Sequence, residues 1–321
     1  MSGTGPDIVT LGETMVLFLA ETVGPLREAT DFRRYVAGAE TNVATGLCRL
    51  GHTAGWISRL SDDEFGRTVA FRLRGEGVDI SRAKIDPEAP TGLMVRERRE
   101  LGPLDVIYYR RGSAASKLSP DDLDADYIGS ARYLHLTGIT PALSASCRET
   151  AFAAAAIARA AGVPVVLDPN LRFKLWSREE ARRVLRDLAT HADIILPGLE
   201  EGEFLTGETD PEAAARAFLD LAPSLSLVVM KLGAEGSLAM TRESVVHVPA
   251  TPLPRVIDPV GAGDAFAAGF YAGQLRGFAM EETLALANRC GAWATTAPGD
   301  ADVFPRWEEV ASAVAGPDVR R

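Results

Sequence analysis

The feature that most constrains the fold is a repeated unit, in which a short run rich in β-branched residues is followed by a turn and an alanine-rich stretch with helical spacing. The strand-like runs are nearly continuous apolar segments, as in VPVVLD, rather than alternating ones. Such strands are typical of parallel sheets that helices cover on both faces. The sequence therefore predicts an α/β fold with a doubly wound, mostly parallel sheet.

The predicted elements follow from this periodicity. Core strands are predicted at residues 8–11, 54–58, 133–136, 163–167, 193–196 and 227–231. Helices are predicted between them, at residues 42–50, 64–76, 145–161, 178–190 and 211–222. The sequence contains no internal repeat of fixed length and no long linker, so we expect a single domain over residues 1–321.

Two regions, at about 13–37 and 90–112, interrupt the alternation because they contain strand-like runs with no helix between them. In the second region Gly102-Pro103 separates the runs and predicts a turn. Strands of this kind could pair into a small sheet outside the main core. That sheet would be either a lid over an active site or an edge hairpin, and the pattern alone leaves both open.

The composition argues against several classes of protein. A formal net charge of -10 over 321 residues disfavours a protein that mainly binds nucleic acid or an anionic membrane surface. Cys48, Cys147 and Cys290 are far apart and indicate neither a disulfide framework nor a zinc site. The first residues lack the basic and apolar segments of a secretory signal, so we expect a cytoplasmic enzyme.

The most informative segment is IDPVGAGDAFAAG, at residues 257–269. A proline-containing turn leads to Gly261-Ala262-Gly263, and an apolar helix-forming run follows from Asp264. Glycines allow the backbone to approach a ligand closely, and the free N–H groups of a helix N-terminus attract an anion. The segment is therefore predicted to be a phosphate cradle whose helix begins at a carboxylate.

Several interpretations of this segment compete. Asp264 could be an ordinary helix N-cap, a role that Asp performs well. A dinucleotide-binding loop is disfavoured because Phe266 stands where a small residue is required. A Walker A loop is excluded because the chain has no G-x-x-x-x-G-K-[ST]. The remaining interpretation is an anion hole for a transferred phosphoryl group, in which Asp264 accepts the proton of the attacking hydroxyl.

The chain resembles the PfkB (ribokinase-like) carbohydrate kinases at several motifs. DPVGAGDAFAAG is similar to the C-terminal family motif D-T-x-G-A-G-D, and GAETNVA at residues 38–44 resembles the N-terminal sugar-binding motif. Thr91-Gly92 and the run VMKLGAEG at residues 229–236 also lie where family members carry theirs. The resemblance covers about residues 8–305. It implies a ribokinase-like, three-layer α/β fold with a small β-sheet lid.

For catalysis, the resemblance implies phosphorylation of a sugar by ATP, with Mg²⁺ as a cofactor and a monovalent cation as a further candidate. Asp264 is then the general base, and the N–H groups of Ala262, Gly263 and Asp264 form the anion hole. The residues implied for ATP binding are Lys231, Gly233, Gly236, Gly261, Gly263 and Asn288. From the residues alone, Lys231 could equally be a solvated charge and Asn288 a capping residue.

The resemblance also implies a water-mediated metal contact at Glu201, which is similar to the glutamate of the family motif N-x-x-E. This chain departs from that motif because Gly198 stands at the Asn position. The need for Mg²⁺ to offset the charge of ATP remains, whereas the details of its coordination do not transfer.

Three segments, YYRRGSA, LHLTGITPALS and LDPNLRFKLWS, resemble those of the 2-keto-3-deoxygluconate kinases within this family. The substrate contacts that this implies are Gly38, Asn42, Tyr108, Arg110, Ile139, Arg172 and Asp264. Met94 is a departure, since some of these kinases have an aromatic residue there. The implied reaction phosphorylates the terminal hydroxyl of 2-keto-3-deoxygluconate and gives 2-keto-3-deoxy-6-phosphogluconate.

A physical argument supports an acid sugar. Arg110 shares a strand face with Tyr108 because side chains alternate, and Arg172 follows the carboxyl end of a predicted core strand. Two converging arginines suit a carboxylate, whereas a neutral sugar would leave at least one buried charge unpaired. The alternative, in which these residues do not bind substrate, is that Arg110 and Arg111 are surface charges and that Arg172 pairs with a neighbouring acid.

The alternatives are another kinase of the family, such as a fructokinase or a 5-dehydro-2-deoxygluconokinase, and a non-catalytic sugar sensor on the same fold. An oxidoreductase is less favoured, for the reasons given against a dinucleotide-binding loop. An exposed lid sheet could also pair with its copy, and this predicts a homo-oligomer assembled through the lid.

Overall fold

The computed structural model describes residues 5–99 and 106–311, along which strands and helices alternate. The strands are β1 (Ile8–Leu11), β2 (Met15–Val23), β3 (Phe32–Ala37), β4 (Ala54–Ser61), β5 (Asp79–Asp86), β6 (Leu93–Arg98), β7 (Val106–Tyr109), β8 (Tyr133–Thr137), β9 (Val165–Asp168), β10 (Ile194–Ile195), β11 (Leu227–Lys231), β12 (Ser237–Met240) and β13 (Val245–Val248). The predicted turn at Gly102-Pro103 lies outside the described residues.

The helices of the same described part lie mostly between these strands. They are α1 (Ala39–Arg49), α2 (Glu64–Gly75), α3 (Ala125–Gly129), α4 (Thr140–Leu143), α5 (Ala145–Ala160), α6 (Arg178–Ala189), α7 (Leu199–Thr206), α8 (Pro211–Leu221), α9 (Ala262–Arg276), α10 (Met280–Ala294) and α11 (Trp307–Val310). None of these helices is long and apolar enough to cross a membrane.

Within the described residues, the main sheet has nine strands in the order β13-β12-β11-β10-β9-β8-β1-β4-β5. Neighbouring strands from β5 to β11 run parallel, and β12 and β13 are added antiparallel at one edge. The prediction of a doubly wound, mostly parallel sheet is confirmed.

The core explains why the strands are continuously apolar. Val9 and Leu167 pack into a hydrophobic cluster on one face of the sheet. Their chain neighbours Ile8 and Val166 pack into a second cluster on the other face. Successive side chains of a strand point to opposite faces, so a strand covered on both sides has no solvent-facing position for a polar residue.

A second sheet has the strand order β3-β2-β6-β7. Its inner face carries a small apolar cluster of Met15, Leu17, Leu19, Ala37 and Met94. On β7, Ile107 and Tyr109 point to the opposite face and are exposed. The two regions without predicted helices therefore pair with each other to form this sheet. Their described residues contain one short helical element, the 3₁₀ turn at Leu26–Glu28.

Most predicted boundaries differ from the structure by a few residues. The helix predicted from residue 42 begins at Ala39, directly after Gly38, so its first turn was missed. The strand predicted from residue 163 begins at Val165, after Pro164, which has no N–H to donate to a ladder.

The carboxyl ends of β1, β8, β9 and β11 meet at one edge of the sheet, where ligands bind in open α/β folds.

Candidate active site

The chain enters helix α9 through Gly261, whose φ of +81° lies in the left-handed region. A Cβ atom on Gly261 would lie 3.0 Å from Asp300 Oδ1, so both the backbone conformation and the limited space favour glycine. The helix begins at Ala262. The prediction that it begins at Asp264 is therefore wrong by two residues, because the glycine turn ends earlier than the apolar run indicates.

The first N–H groups of helix α9 form a small donor pocket. The N–H of Ala262 donates to the carbonyl of Pro259 over 3.3 Å, which closes the turn. In the described part of the chain, the N–H groups of Gly263 and Asp264 have no hydrogen-bond acceptor. Two of the three predicted amides are thus free, at the positive end of a helix dipole, to hold an anion.

Asp264 is the third residue of the helix, and its side chain does not cap it. Its Oδ2 accepts a hydrogen bond of 2.8 Å from Asn42 Nδ2, and the residue is 9% exposed. Burial raises the pKa of Asp264 to about 7, the charge of Asp168 adds to the rise, and the Asn42 bond opposes it. A carboxyl with such a pKa can both accept and release a proton near neutral pH.

A second buried carboxyl, Asp300, shares the same amide. Asn42 Nδ2 lies 2.6 Å from Asp300 Oδ1 as well as 2.8 Å from Asp264 Oδ2. Burial raises the pKa of Asp300 well above its ordinary value, and the negative charge of Asp264 raises it further. Two carboxyls this close do not both ionise readily, so their protons are coupled. The sequence carried no local signal for Asp300, which follows a loop after α10.

Lys231, at the end of β11, supplies a cation beside the donor pocket. Its Nζ donates to Asp168 Oδ2 at 2.7 Å and lies 3.6 Å from the position of a Cβ on Gly263. Burial alone lowers the pKa of Lys231, but the carboxylates of Asp168 and Glu201 raise it above its ordinary value. The ammonium is therefore charged, paired and placed where an anion held by the amides would meet it.

A cavity of about 650 Å³ opens beside Lys231 and the start of helix α9. Six of the residues predicted to bind ATP or form the anion hole line it, and these are Lys231, Gly233, Gly236, Ala262, Gly263 and Asn288. The Nδ2 of Asn288 donates to the carbonyls of Val248 and Pro249 at 3.1 Å. The rest of the lining is mainly apolar, as a flat aromatic ring would require.

A second cavity, of about 820 Å³, joins Lys231 to Arg172 and is also lined by Glu201. The two carboxylate oxygens of Glu201 accept N–H groups from Leu171 and Gly198, each at 2.8 Å. Gly198 is the N-cap of helix α7, and Glu201 is the third residue of that helix. Because carboxylate oxygens have further lone pairs, Glu201 can still accept hydrogen bonds from metal-bound water.

No group of three or more His, Cys, Asp or Glu side chains among residues 5–99 and 106–311 could enclose a metal ion. The donor set therefore does not fit a metal held only by protein ligands. It fits Mg²⁺ that keeps several waters and is held mainly by phosphates, with Glu201 in contact through water.

A third cavity, of about 1000 Å³, lies under the second sheet. Its lining includes Tyr108, Arg110 and Arg172, which the sequence placed on a lid strand and on a loop after a core strand. Met94 lies directly opposite Tyr108 in the pairing of β6 and β7. Tyr108 lies 64 positions before Arg172 in the sequence, and Met94 lies further away still. These residues come together only in the folded protein.

The charged groups of this cavity are not paired in the way that the sequence-based argument assumed. Arg110 forms a salt bridge with Glu13, whose other oxygen accepts the hydroxyl of Ser113, and Arg110 Nε lies 2.6 Å from Glu13 Oε2. Arg110 is therefore already paired. The argument that a neutral sugar would leave a buried charge unpaired is wrong, because it overlooked Glu13, which directly follows β1 and Gly12.

Arg172 is exposed and donates only to the neighbouring carbonyl of Leu171, at 2.9 Å. Among the described residues it forms no ion pair with an acid, so it does not merely pair with a neighbouring carboxylate. Arg172 is therefore a cation of this cavity that remains available to an anionic ligand.

The other predicted substrate residues lie behind these cavities. Gly38 and Ile139 are buried at the starts of α1 and α4, and a Cβ on Gly38 would lie 2.6 Å from the Glu13 carbonyl. Asn42 and Asp264 are buried against each other. None of these four lines one of the three cavities.

Comparison with known proteins gives a consistent result. The family described as "pfkB family carbohydrate kinase" matches residues 6–307. A 2-dehydro-3-deoxygluconokinase from Bacillus subtilis is 41% identical over 308 residues, which are 95% of this chain and 94% of the relative. An enzyme of the same name from Thermoproteus tenax is 37% identical over 303 residues, covering 93% and 91% of the two chains.

Solved structures share the fold. A 2-dehydro-3-deoxygluconokinase from Thermotoga maritima superimposes with a TM-score of 0.89 at 26% identity, covering 98% of this chain and 100% of that one. A putative ribokinase II from E. coli in complex with ATP and Mg²⁺ has a TM-score of 0.89 at 28% identity, with coverages of 97% and 99%. A fructokinase mutant from Vibrio cholerae, with fructose, ADP and potassium ion bound, has a TM-score of 0.82 at 28% identity, with the same coverages.

Proposed function

Because this chain belongs to the pfkB family of carbohydrate kinases, we propose that it transfers a phosphoryl group from ATP to the terminal hydroxyl of 2-keto-3-deoxygluconate. That sugar acid is also called 2-dehydro-3-deoxygluconate, and the product is 2-keto-3-deoxy-6-phosphogluconate. The relatives named for this reaction support the proposal. The structural observation that carries it is Arg172, which has no acidic partner among the described residues, lines the cavity under the second sheet and lies near enough to Asp264 for its charge to lower the pKa of that carboxyl.

The proposed arrangement follows the three cavities in order. ATP lies in the cavity at Asn288, with its phosphates directed to Lys231 and the free amides of Gly263 and Asp264. The sugar acid enters the cavity under the second sheet, which we propose acts as a lid, and its carboxylate pairs with Arg172. Mg²⁺, when bound, offsets the negative charge of the phosphates.

The chemistry of the protein groups is then simple. Asp264 takes the proton of the attacking hydroxyl, and the free amides and Lys231 stabilise the negative charge of the phosphoryl group during transfer. Asn42 holds the Asp264 carboxylate in place. The site mainly positions the two substrates and stabilises charge, which is what phosphoryl transfer requires of a protein.

The cofactors and location extend this proposal. ATP and Mg²⁺ are present in a related structure, and potassium ion in another, so a monovalent cation is a further candidate. We also propose a cytoplasmic location, where ATP is available. The second sheet leaves Ile107 and Tyr109 exposed by 40% and 64%, and this apolar face fits a homodimer formed through the lid. Light scattering after size-exclusion chromatography tests the dimer, and a monomer at micromolar concentration contradicts it.

A substrate panel tests the proposed function. Coupled measurement of ADP release compares 2-keto-3-deoxygluconate, its galactonate epimer, fructose, ribose and gluconate. We expect the highest kcat/KM for a 2-keto-3-deoxy sugar acid. A higher kcat/KM for fructose assigns the chain to the neutral-sugar kinases of the family and contradicts the role of Arg172, and no turnover of any sugar favours the sensor alternative.

A further inference from the structure

A buried cation, Arg96, lies on the face of the second sheet that turns toward the site. Arg96 follows Met94 on the same side of β6, and its side chain is 2% exposed. Arg96 Nη2 lies 2.5 Å from Asp258 Oδ2, and Nη1 lies 3.4 Å from Asp258 Oδ1. Nη2 also donates to the carbonyl of Gly299 at 3.4 Å. One guanidinium therefore joins the second sheet to two loops beside helix α9.

The first of these loops leads to the donor pocket. Asp258 Oδ1 accepts the N–H of Val260 at 3.1 Å, so the carboxylate held by Arg96 also holds the turn that precedes Gly261. From Gly261 the chain continues directly into the free amides of Gly263 and the following residue. A shift of Asp258 would therefore move these amides.

The second loop leads to the carboxyl pair. Gly299 directly precedes Asp300, and Asp300 shares the amide of Asn42 with Asp264. Gly299 has a φ of +150°, and a Cβ placed on it would lie 3.6 Å from the ring of Tyr35 on strand β3. The inner face of the second sheet thus contacts this loop at two points, through Tyr35 and through Arg96.

Burying the ion pair of Arg96 and Asp258 costs desolvation free energy, and its presence therefore argues for a specific role. Taking two charges out of water is unfavourable, and well-packed apolar residues often seal such a place equally well. Arg96 Nε is also buried and, among the described residues, has no hydrogen-bond partner. What a planar guanidinium adds is a fixed geometry with several donors, which an apolar side chain cannot supply.

We propose that Arg96 is a positioning residue for phosphoryl transfer, which sets the Asp258–Gly261 turn and the Gly299–Asp300 loop relative to the second sheet. The inference rests on the proposed kinase function. Arg96 touches neither substrate. It acts by fixing the donor amides and the carboxyl pair in one arrangement when the sheet covers the site.

The test replaces Arg96 by methionine and by lysine in the full-length protein. We expect Arg96→Met to lower kcat on the order of 10²-fold, because misplaced donors are felt mainly in the transition state, while KM for ATP changes much less. Arg96→Lys, which keeps the charge without the fork, should fall between wild type and methionine.

Two further variants separate positioning from mere charge balance. Arg59→Met is the matched control, because Arg59 pairs with Asp122 at 2.7 Å on another loop, and it should keep the wild-type kcat. In the double variant Arg96→Met/Asp258→Asn no unpaired carboxylate is left at this place, yet kcat should stay low. Recovery of wild-type kcat in that double variant overturns the proposal, as does Arg96→Met with kcat within threefold of wild type.

A readout without substrate keeps the inference independent of the proposed function. Hydrogen exchange of the peptide that covers residues 258–264 should be at least about tenfold faster in Arg96→Met than in wild type or Arg59→Met. Unchanged exchange overturns the positioning role. If the wild type phosphorylates no sugar, the kinase proposal fails by itself, and the exchange measurement still decides whether Arg96 holds the turn.

Discussion

Replacing Asp264 by asparagine should separate activity from stability. Asparagine keeps the size of the side chain and can still accept the hydrogen bond from Asn42, but it cannot take up the proton of a hydroxyl. General-base catalysis typically contributes about 10²–10⁴-fold. We expect Asp264→Asn to lower kcat by that factor, with little change in KM for ATP, because the nucleotide cavity at Asn288 is untouched.

The same substitution should make the protein more stable at neutral pH. Burial raises the pKa of Asp264 from 3.8 to about 7, which corresponds to at most on the order of 4 kcal/mol. The folded state binds this proton more tightly than the unfolded state, so the wild type loses stability as pH rises from about 4 to about 7. Asp264→Asn lacks this loss, and the difference between the two proteins should vanish near pH 4.

Both effects can be measured on one preparation. ADP release in a coupled assay with 2-keto-3-deoxygluconate gives kcat, and urea unfolding at neutral pH and near pH 4 gives the free energies of unfolding. Asp210→Asn is the matched control, because Asp210 caps helix α8 through its side chain and asparagine caps equally well. A kcat within tenfold of wild type refutes the role of Asp264 as base. A variant less stable than wild type at neutral pH refutes the argument from burial.

Three further outcomes follow from the site. Arg172→Ala should raise KM for the sugar acid roughly 10–100-fold, because it removes a charge-assisted hydrogen bond to the carboxylate. KM for a neutral sugar should stay nearly unchanged. Equal effects on both substrates contradict the carboxylate contact. The kcat of the wild type should rise with pH around an apparent pKa of about 7, since Asp264 must lose its proton to act, and Asn42→Ala should move that pKa upward because the Asn42 bond lowers it. A flat profile between pH 6 and 8 contradicts this. Gly261→Ala should reduce kcat at least about tenfold, because a φ of +81° strains a residue with a Cβ and that Cβ would lie only 3.0 Å from Asp300 Oδ1. Wild-type activity of that variant contradicts the account of the turn.

The sequence predicted those parts of the fold in which local pattern and burial agree. The strands at Ile8–Leu11 and Leu227–Lys231 have the predicted bounds, because both are continuous apolar runs in the middle of the sheet. Strand β5 (Asp79–Asp86) was missed. It pairs on one side only and is largely exposed, so its sequence, DISRAKID, is rich in charges and gives no strand pattern.

The candidate site likewise contains residues that the sequence indicated and residue pairs that it did not. The turn at Gly261 and the carboxylate at Asp264 are neighbours in sequence, so the pattern of glycines indicated them. The pairs Glu13–Arg110 and Arg96–Asp258 join residues 97 and 162 positions apart. Such pairs depend on how the second sheet sits against the main one, and no local pattern carries that information.

The most direct test of the central claim is the structure of the product made by the wild-type protein. After incubation with ATP, Mg²⁺ and 2-keto-3-deoxygluconate, ³¹P and ¹H NMR spectra should show one new phosphomonoester, coupled to the two protons of the terminal carbon. Phosphorylation at another hydroxyl, or no sugar phosphate from this acid while fructose is phosphorylated, would contradict the account.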